Sequence, residues 1–194
     1  MAKSLAPIVM KFGGTSLRDE SCRENALNHV KKYAEAGERV VVVVSAMGRK
    51  GEPYSTDTLV NLLKEVGPSI CPRELDLVMS VGESISSAFF THLLSQNGLP
   101  AISFNGRQAG ILTDDNAGNA EILEINPERI IEALDEGYIA VVAGFQGVND
   151  RGDIRTLGRG GSDTSAVALA AALDAEKVEI FSDVDGIANC DPRL

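Results

Sequence analysis

Basic residues are the minority charge in this sequence: 18 Lys and Arg stand against 28 Asp and Glu, a net charge of -10. That balance argues against nucleic acid or an anionic membrane surface as the main partner. A small anionic substrate stays open, because a local site can oppose the global field. Cysteine is scarce and odd in number, at Cys22, Cys71 and Cys190. These three make no disulfide framework and no C-x-x-C metal signature. Histidine is scarcer still, and His29 and His92 fall far apart in helix-like segments, where surface or helix positions account for them. The N-terminus lacks the basic region and apolar core of a signal peptide, and no apolar run is expected to be long enough to cross a bilayer. The expected compartment is therefore the cytoplasm. The sequence also lacks G-x-x-x-x-G-K-S/T, and G-x-G-x-x-G does not follow the first apolar segment. A P-loop NTPase and a G-x-G-x-x-G dinucleotide-binding protein are both disfavoured.

What is present suffices for one domain with a sizeable core: 194 residues, 44% of them hydrophobic. Short apolar runs alternate with amphipathic stretches. Pro7-Ile8-Val9-Met10 reads as a first strand, and residues 19–36 as a helix with Ala26, Val30 and Tyr33 on one face. The five valines of "RVVVVVSAMG" predict a strand buried on both faces, because polar alternation is missing. Residues 57–66 and about 73–96 carry helical patterns, the second stopping at Asn97-Gly98. "LPAISF" and "YIAVVAGF" are further strands. Residues 107–124 hold two short strand candidates, "GILT" and "AEILEI", around a polar turn. Asn126-Pro127 opens a helix that runs to Gly137. "VNDRGDIRTLG" is a hairpin, residues 162–175 an alanine-rich helix, and "KVEIFSDVDG" a last strand and turn. Alternating strands and helices predict an α/β fold, a three-layer α/β/α sandwich with a largely parallel central sheet.

In such sheets, ligands bind beyond the carboxyl ends of the strands. Four polar, glycine-bearing stretches fall there: Lys11-Phe12-Gly13-Gly14-Thr15-Ser16, Ser45-Ala46-Met47-Gly48, Gly144-Phe145-Gln146-Gly147 and Ser182-Asp183-Val184-Asp185-Gly186. A fifth, Gly158-Arg159-Gly160-Gly161-Ser162-Asp163, opens a helix, whose N-terminus offers N–H groups and a positive dipole end to anions. "KFGGTS" alone reads equally as an anion site or as a tight turn beside a solvated lysine. Five such stretches at one sheet edge favour the site.

Taken in order, "KFGGTS", "VVVVVSAMG", "SVGE", "AGFQG", "GRGGSDTSA" and "SDVDG…DPR" resemble the aspartate kinases of the amino acid kinase superfamily, over nearly the whole chain. The resemblance implies ATP-dependent phosphorylation of the aspartate β-carboxylate, the step that begins lysine, threonine and methionine synthesis in that family. It implies ATP with Mg²⁺ held mainly by the nucleotide phosphates, L-aspartate as partner, and a homo-oligomer. Lys11 and Asp163 take the catalytic positions, Lys11 reaching the transferring phosphate and Asp163 orienting catalytic groups. Gly13, Gly14, Thr15 and Ser16 complete the phosphate-binding set. Arg159 matches the arginine for the substrate α-carboxylate and Glu83 the acid for its α-ammonium. Ser45, Thr56, Gly160, Gly161 and Ser162 also fall to the substrate. Ser182, Asp183 and Asp185 lie where the family binds nucleotide. No protein metal ligands are implied.

Each residue has a plainer reading. Lys11 could be a strand-end lysine, Asp163 a first-turn acid, Arg159 a hairpin surface residue, and Glu83 an ordinary helix acid. Ser45 and Thr56 could be caps, and Asp183 and Asp185 turn formers. Two departures from the family pattern are mild: Ser182 where threonine is commoner, and Cys190 before "DPR". A larger one is the end at "DPRL", after which aspartate kinases continue with more of the kinase domain and then ACT domains. Residues 1–194 are thus expected to be an incomplete catalytic domain. The aspartate half of the site then looks complete and the ATP half partial. The runner-up is a noncatalytic amino-acid- or nucleotide-binding fragment or partner subunit of the same fold.

Overall fold

The computed structural model describes residues 6–182. Strand β1, Ile8–Phe12, is buried along its whole length. It extends past the Pro7–Met10 run expected from the sequence, so Lys11 lies inside the strand. β1 pairs in parallel with β2, Val40–Val44, on one side and with β9, Lys177–Phe181, on the other. β6, Ile139–Ala143, lies between β2 and β3, Ala101–Phe104, again in parallel. The sheet order is β3-β6-β2-β1-β9.

Helices cover both faces, which is why β2 shows no polar alternation. On one face Met10, Phe12, Val42 and Val44 pack with Val30 of α1, Glu20–Glu35, and with Phe90 and Leu94 of α3, Pro72–Gln96. On the other, Val9, Val41 and Val43 pack with Ile130 of α4, Glu128–Asp135, and with Ala166 and Leu169 of α5, Gly161–Ala172. Each large side chain so buried contributes about 1.5–3 kcal/mol. The expected three-layer sandwich is what forms.

α3 corrects one expectation. It is 25 residues long and contains an 18-residue window with a mean hydropathy of 1.3, enough by length and composition to cross a membrane. Here its Phe90 and Leu94 fill the core against the sheet, and Asp76 and Glu83 are buried along it. α2, Thr56–Val66, packs on α3 and is capped by Ser55, whose hydroxyl accepts from the Thr58 N–H.

A second sheet was not foreseen. β4, Ile111–Thr113, pairs antiparallel with β5, Ile122–Ile125, and parallel with β7, Gln146–Val148. β7 forms the expected hairpin with β8, Ile154–Thr156. Gln146 and Gly147 therefore belong to a strand and not to a loop.

Candidate active site

Strand parity aims Lys11. Side chains alternate across a sheet, so Lys11 shares the α5 face with Val9, aligned with Val43 of β2 and Ile180 of β9. There its ammonium meets Asp163 Oδ1 at 2.7 Å. Asp163 sits in the first turn of α5, where the helix dipole favours an acid. Its side chain is 47% exposed, so solvent screening leaves the pair little weight in stability. What the pair fixes is position: a buried lysine held at the mouth of a helix N-terminus. Gly160 caps α5 at φ 75°, a left-handed conformation that suits glycine.

Around this pair is a cavity of about 560 Å³. Lys11, Ser45, Thr56, Glu83, Arg159, Gly160, Gly161, Ser162 and Asp163 all line it, coming from β1, the loop after β2, α2, α3 and the start of α5. These are the catalytic and substrate positions the sequence singled out. Glu83 is buried on α3, with Oε1 accepting from the Ala46 N–H at 3.0 Å. Among the described residues its Oε2 has no hydrogen-bond partner. Burial pushes the Glu83 carboxyl up to about 7, against the opposing pull of the Ala46 N–H. The cavity thus holds a lysine fixed by its acid partner, an exposed arginine, a half-exposed acid, and a buried acid with one oxygen free.

The "KFGGTS" run divides. Gly14 touches the loop after β2 so closely that a Cβ there would lie 2.4 Å from the Ala46 carbonyl oxygen. At Gly13 a Cβ would stand 3.5 Å from Lys11 Nζ, so the absent side chain leaves space beside the ammonium. The Gly13 N–H itself donates to the Phe181 carbonyl at 3.3 Å. Thr15 and Ser16, in the 3-10 turn Gly14–Leu17, line a different hollow of about 360 Å³ and not the Lys11 cavity. Ser182 lines that second hollow with them. Asp183 and Asp185 lie outside the described residues.

Two lining residues, Met79 and Gly118, lie outside every stretch the sequence singled out; Ala46, Phe145 and Gly158 lie inside such stretches but were not assigned to the site. Met79 is one helical turn before Glu83, a spacing that could have been read. Phe145 adopts φ 68°, unusual for a bulky residue. Its N–H donates to Ser165 Oγ at 3.0 Å and its carbonyl accepts from the Leu157 N–H at 2.9 Å, which hold it there. No local signal gives that conformation away. Among the described residues no group of three or more His, Cys, Asp or Glu could hold a metal.

The family model of the amino acid kinase family matches residues 6–194. The chain belongs to the amino acid kinase family. As a member it is similar to aspartokinase 1 of Bacillus subtilis, at 54% identity over 96% of this chain. It is also similar to the crystal structure of aspartate kinase from Synechocystis, at TM-score 0.78 and 45% identity over 97% of this chain. E. coli aspartokinase III in complex with aspartate and ADP matches at TM-score 0.78 and 29% identity over 96%. The chain spans 46% of the length of the Bacillus protein, 30% of the Synechocystis one and 51% of the E. coli one.

Proposed function

We propose that this chain is the aspartate-holding part of an aspartate kinase catalytic domain, which transfers the γ-phosphoryl group of ATP to the aspartate β-carboxylate. The observation that carries the reading is the Lys11–Asp163 pair, 2.7 Å apart, at a cavity that Arg159 and Glu83 also line. An α-amino acid presents an ammonium and a carboxylate on one carbon. Glu83 Oε2 is a ready acceptor for the first, and the Arg159 fork suits the second. Ser45 and Thr56 add hydroxyls beside them. The names of the similar proteins, and the aspartate and ADP bound to E. coli aspartokinase III, point the same way.

The chemistry asks little of acid–base groups. A carboxylate with an ordinary pKa of about 4 is already ionised at neutral pH, so no general base is needed. One β-carboxylate oxygen bonds to the γ-phosphorus, the bond to the bridging oxygen of ADP breaks, and ADP leaves with that electron pair. The task is to bring two anions together and offset charge on the phosphoryl oxygens. Lys11 is placed for that, Asp163 aims it, and the space at Gly13 admits an oxygen close to the ammonium. Mg²⁺ fits this reading as an ion carried by the nucleotide phosphates. Ser182, beside Thr15 and Ser16, belongs to the nucleotide side of the proposal. A cytoplasmic location, where ATP is supplied, and an entry role in lysine, threonine and methionine synthesis belong to it too.

The test is hydroxylamine trapping of acyl phosphate with Mg-ATP and aspartate, on this chain and on the full-length protein. Product that disappears when aspartate is left out supports the reading. Aspartate binding by calorimetry with no product from the full-length protein would reduce the site to a binding module.

A further inference from the structure

Asp76 is completely buried on α3, and neither the sequence pattern nor the proposed chemistry gives it a task. It lies seven residues before Glu83, two helical turns, and so on the same face. Its carboxyl collects donors from two other elements. Oδ1 accepts from the Gly118 N–H at 3.0 Å and from the Thr156 hydroxyl at 2.6 Å, and Oδ2 stands 3.2 Å from the same Gly118 nitrogen. Gly118 belongs to the turn between β4 and β5 and lines the Lys11 cavity. Thr156 ends β8 and is fully buried, three residues before Arg159.

The two segments that meet at Asp76 also hold each other. The Thr156 carbonyl accepts from the Ala120 N–H at 2.9 Å. The Asn119 side chain sits against Gly158, where a Cβ would come within 2.5 Å of its Oδ1. Helix α3 thus presents Glu83 to the cavity and, two turns earlier, grips the turn and the strand end that deliver Gly118, Gly158 and Arg159.

We propose that Asp76 is a positioning residue for the amino-acid site: it sets the placement of the Arg159 segment and the Gly118 turn relative to Glu83. This rests on the reading of Glu83 and Arg159 as the groups that hold the two ends of the substrate's α-carbon. A misplaced clamp weakens substrate binding more than it weakens phosphoryl transfer once the site is filled. Losing the Asp76 acceptor leaves a buried N–H and a buried hydroxyl without their partner.

The test compares Asp76→Asn, Thr156→Val and Thr156→Ser with the wild type, all in the full-length protein. Asp76→Asn keeps the side-chain volume but removes the charge and sets an NH2 donor where Oδ2 faces the Gly118 N–H, Thr156→Val removes one donor, and Thr156→Ser keeps the hydroxyl. Asp76→Asn and Thr156→Val are expected to raise the aspartate KM roughly tenfold and to leave the ATP KM within about twofold, with Thr156→Ser close to wild type. An unchanged aspartate KM in both, or aspartate and ATP KM rising together, overturns the proposal. Amide hydrogen exchange gives a readout independent of turnover: residues 114–120 and 157–160 are expected to lose protection in Asp76→Asn and Thr156→Val. Unchanged protection also overturns it. If the wild type shows no aspartate-dependent turnover, the functional reading fails, and the exchange result alone decides whether Asp76 holds these segments.

Discussion

The cavity around Lys11 and the hollow around Ser16 sit at the same edge of one parallel sheet and draw on the same six-residue run. The first is lined by charges of both signs: Lys11 against Asp163, with Glu83 and Arg159 on other walls. Among the described residues the second has no carboxylate in its lining. Hydroxyls of Thr15, Ser16 and Ser182 stand there with Arg18, Arg49 and His29. Its floor is aromatic, with Phe12 and Phe181 stacked at 4.8 Å between ring centroids and His29 tilted against Phe181 at 4.5 Å. Strand geometry makes the division. Lys11 is still in β1 and takes the α5 side by parity, whereas Thr15 and Ser16 come after the strand, in a turn that opens on the α1 side. A motif that reads as one site in sequence lines two hollows, one with charges of both signs and one, among the described residues, with hydroxyls, arginines and a histidine.

The sharpest break in that division comes at Lys11, which touches the reacting phosphate in the proposed mechanism. Lys11→Ala is expected to cut kcat by roughly a hundredfold to a thousandfold, the range for losing one preorganised charge-stabilising group. The hydroxamate assay on the full-length protein measures it, and near-normal turnover removes Lys11 from the mechanism. Arg159→Ala comes next. It is expected to raise the aspartate KM by roughly tenfold to a hundredfold, as for a charged hydrogen bond, while the ATP KM stays within about twofold. Equal effects on both substrates would argue against a carboxylate role for Arg159.

How much of this could be read from residues alone follows the same line. The parallel sheet was legible because the valines of β2 have nothing polar between them, a pattern that only burial on both faces allows. Part of the Lys11 cavity was legible because Lys11, Ser45 and Arg159 to Asp163 sit in glycine-bearing runs at strand ends or a helix start, whereas Thr56 and Glu83 came only from the resemblance to aspartate kinases. The second sheet was not legible. Its strands are three or four residues long, and β4 joins β7 through a single aligned pair, Leu112 with Val148. Such pairings are decided by tertiary packing and not by local pattern. Asp76 was missed for a related reason: its donors lie 42 and 80 residues away in sequence. The "KFGGTS" run is divided between two hollows because strand length decides which side chain faces which layer, and β1 runs two residues further than its apolar run.

Glu83 allows a finer probe of the charged cavity. Its pKa near 7 stands above the ordinary 4.5 because burial penalises the charge. The folded protein therefore binds this proton more tightly than the unfolded chain does. The cost of a buried charge is present above about pH 7 and fades as pH falls toward 4.5. Substrate binding runs the other way. An ammonium against Oε2 favours the ionised form, so binding near neutrality releases a proton. The aspartate KM is expected to rise as pH falls from 8 to 6, by up to about tenfold per unit below the pKa. Glu83→Gln is expected to have a raised and nearly flat KM over that interval. A wild-type KM that does not move with pH there would dissociate Glu83 from the ammonium.

The smallest effects belong to the second hollow, and they carry the comparison furthest. Thr15→Ala and Ser16→Ala each remove one hydroxyl from a surface that also has backbone donors and two arginines nearby. Losing a single neutral hydrogen bond costs about 0.5–1.5 kcal/mol, or roughly twofold to tenfold in an equilibrium. Each variant is expected to raise the ATP KM within that range and to leave the aspartate KM unchanged. The direction of the split matters more than its size. Arg159→Ala and Ser16→Ala should fall on opposite sides of a plot of aspartate KM against ATP KM, because their side chains line separate hollows. If Ser16→Ala instead raises the aspartate KM as Arg159→Ala does, the two hollows act as one site. The motif would then have been read correctly as a single unit, with Lys11 and Ser16 brought together only when both substrates are bound.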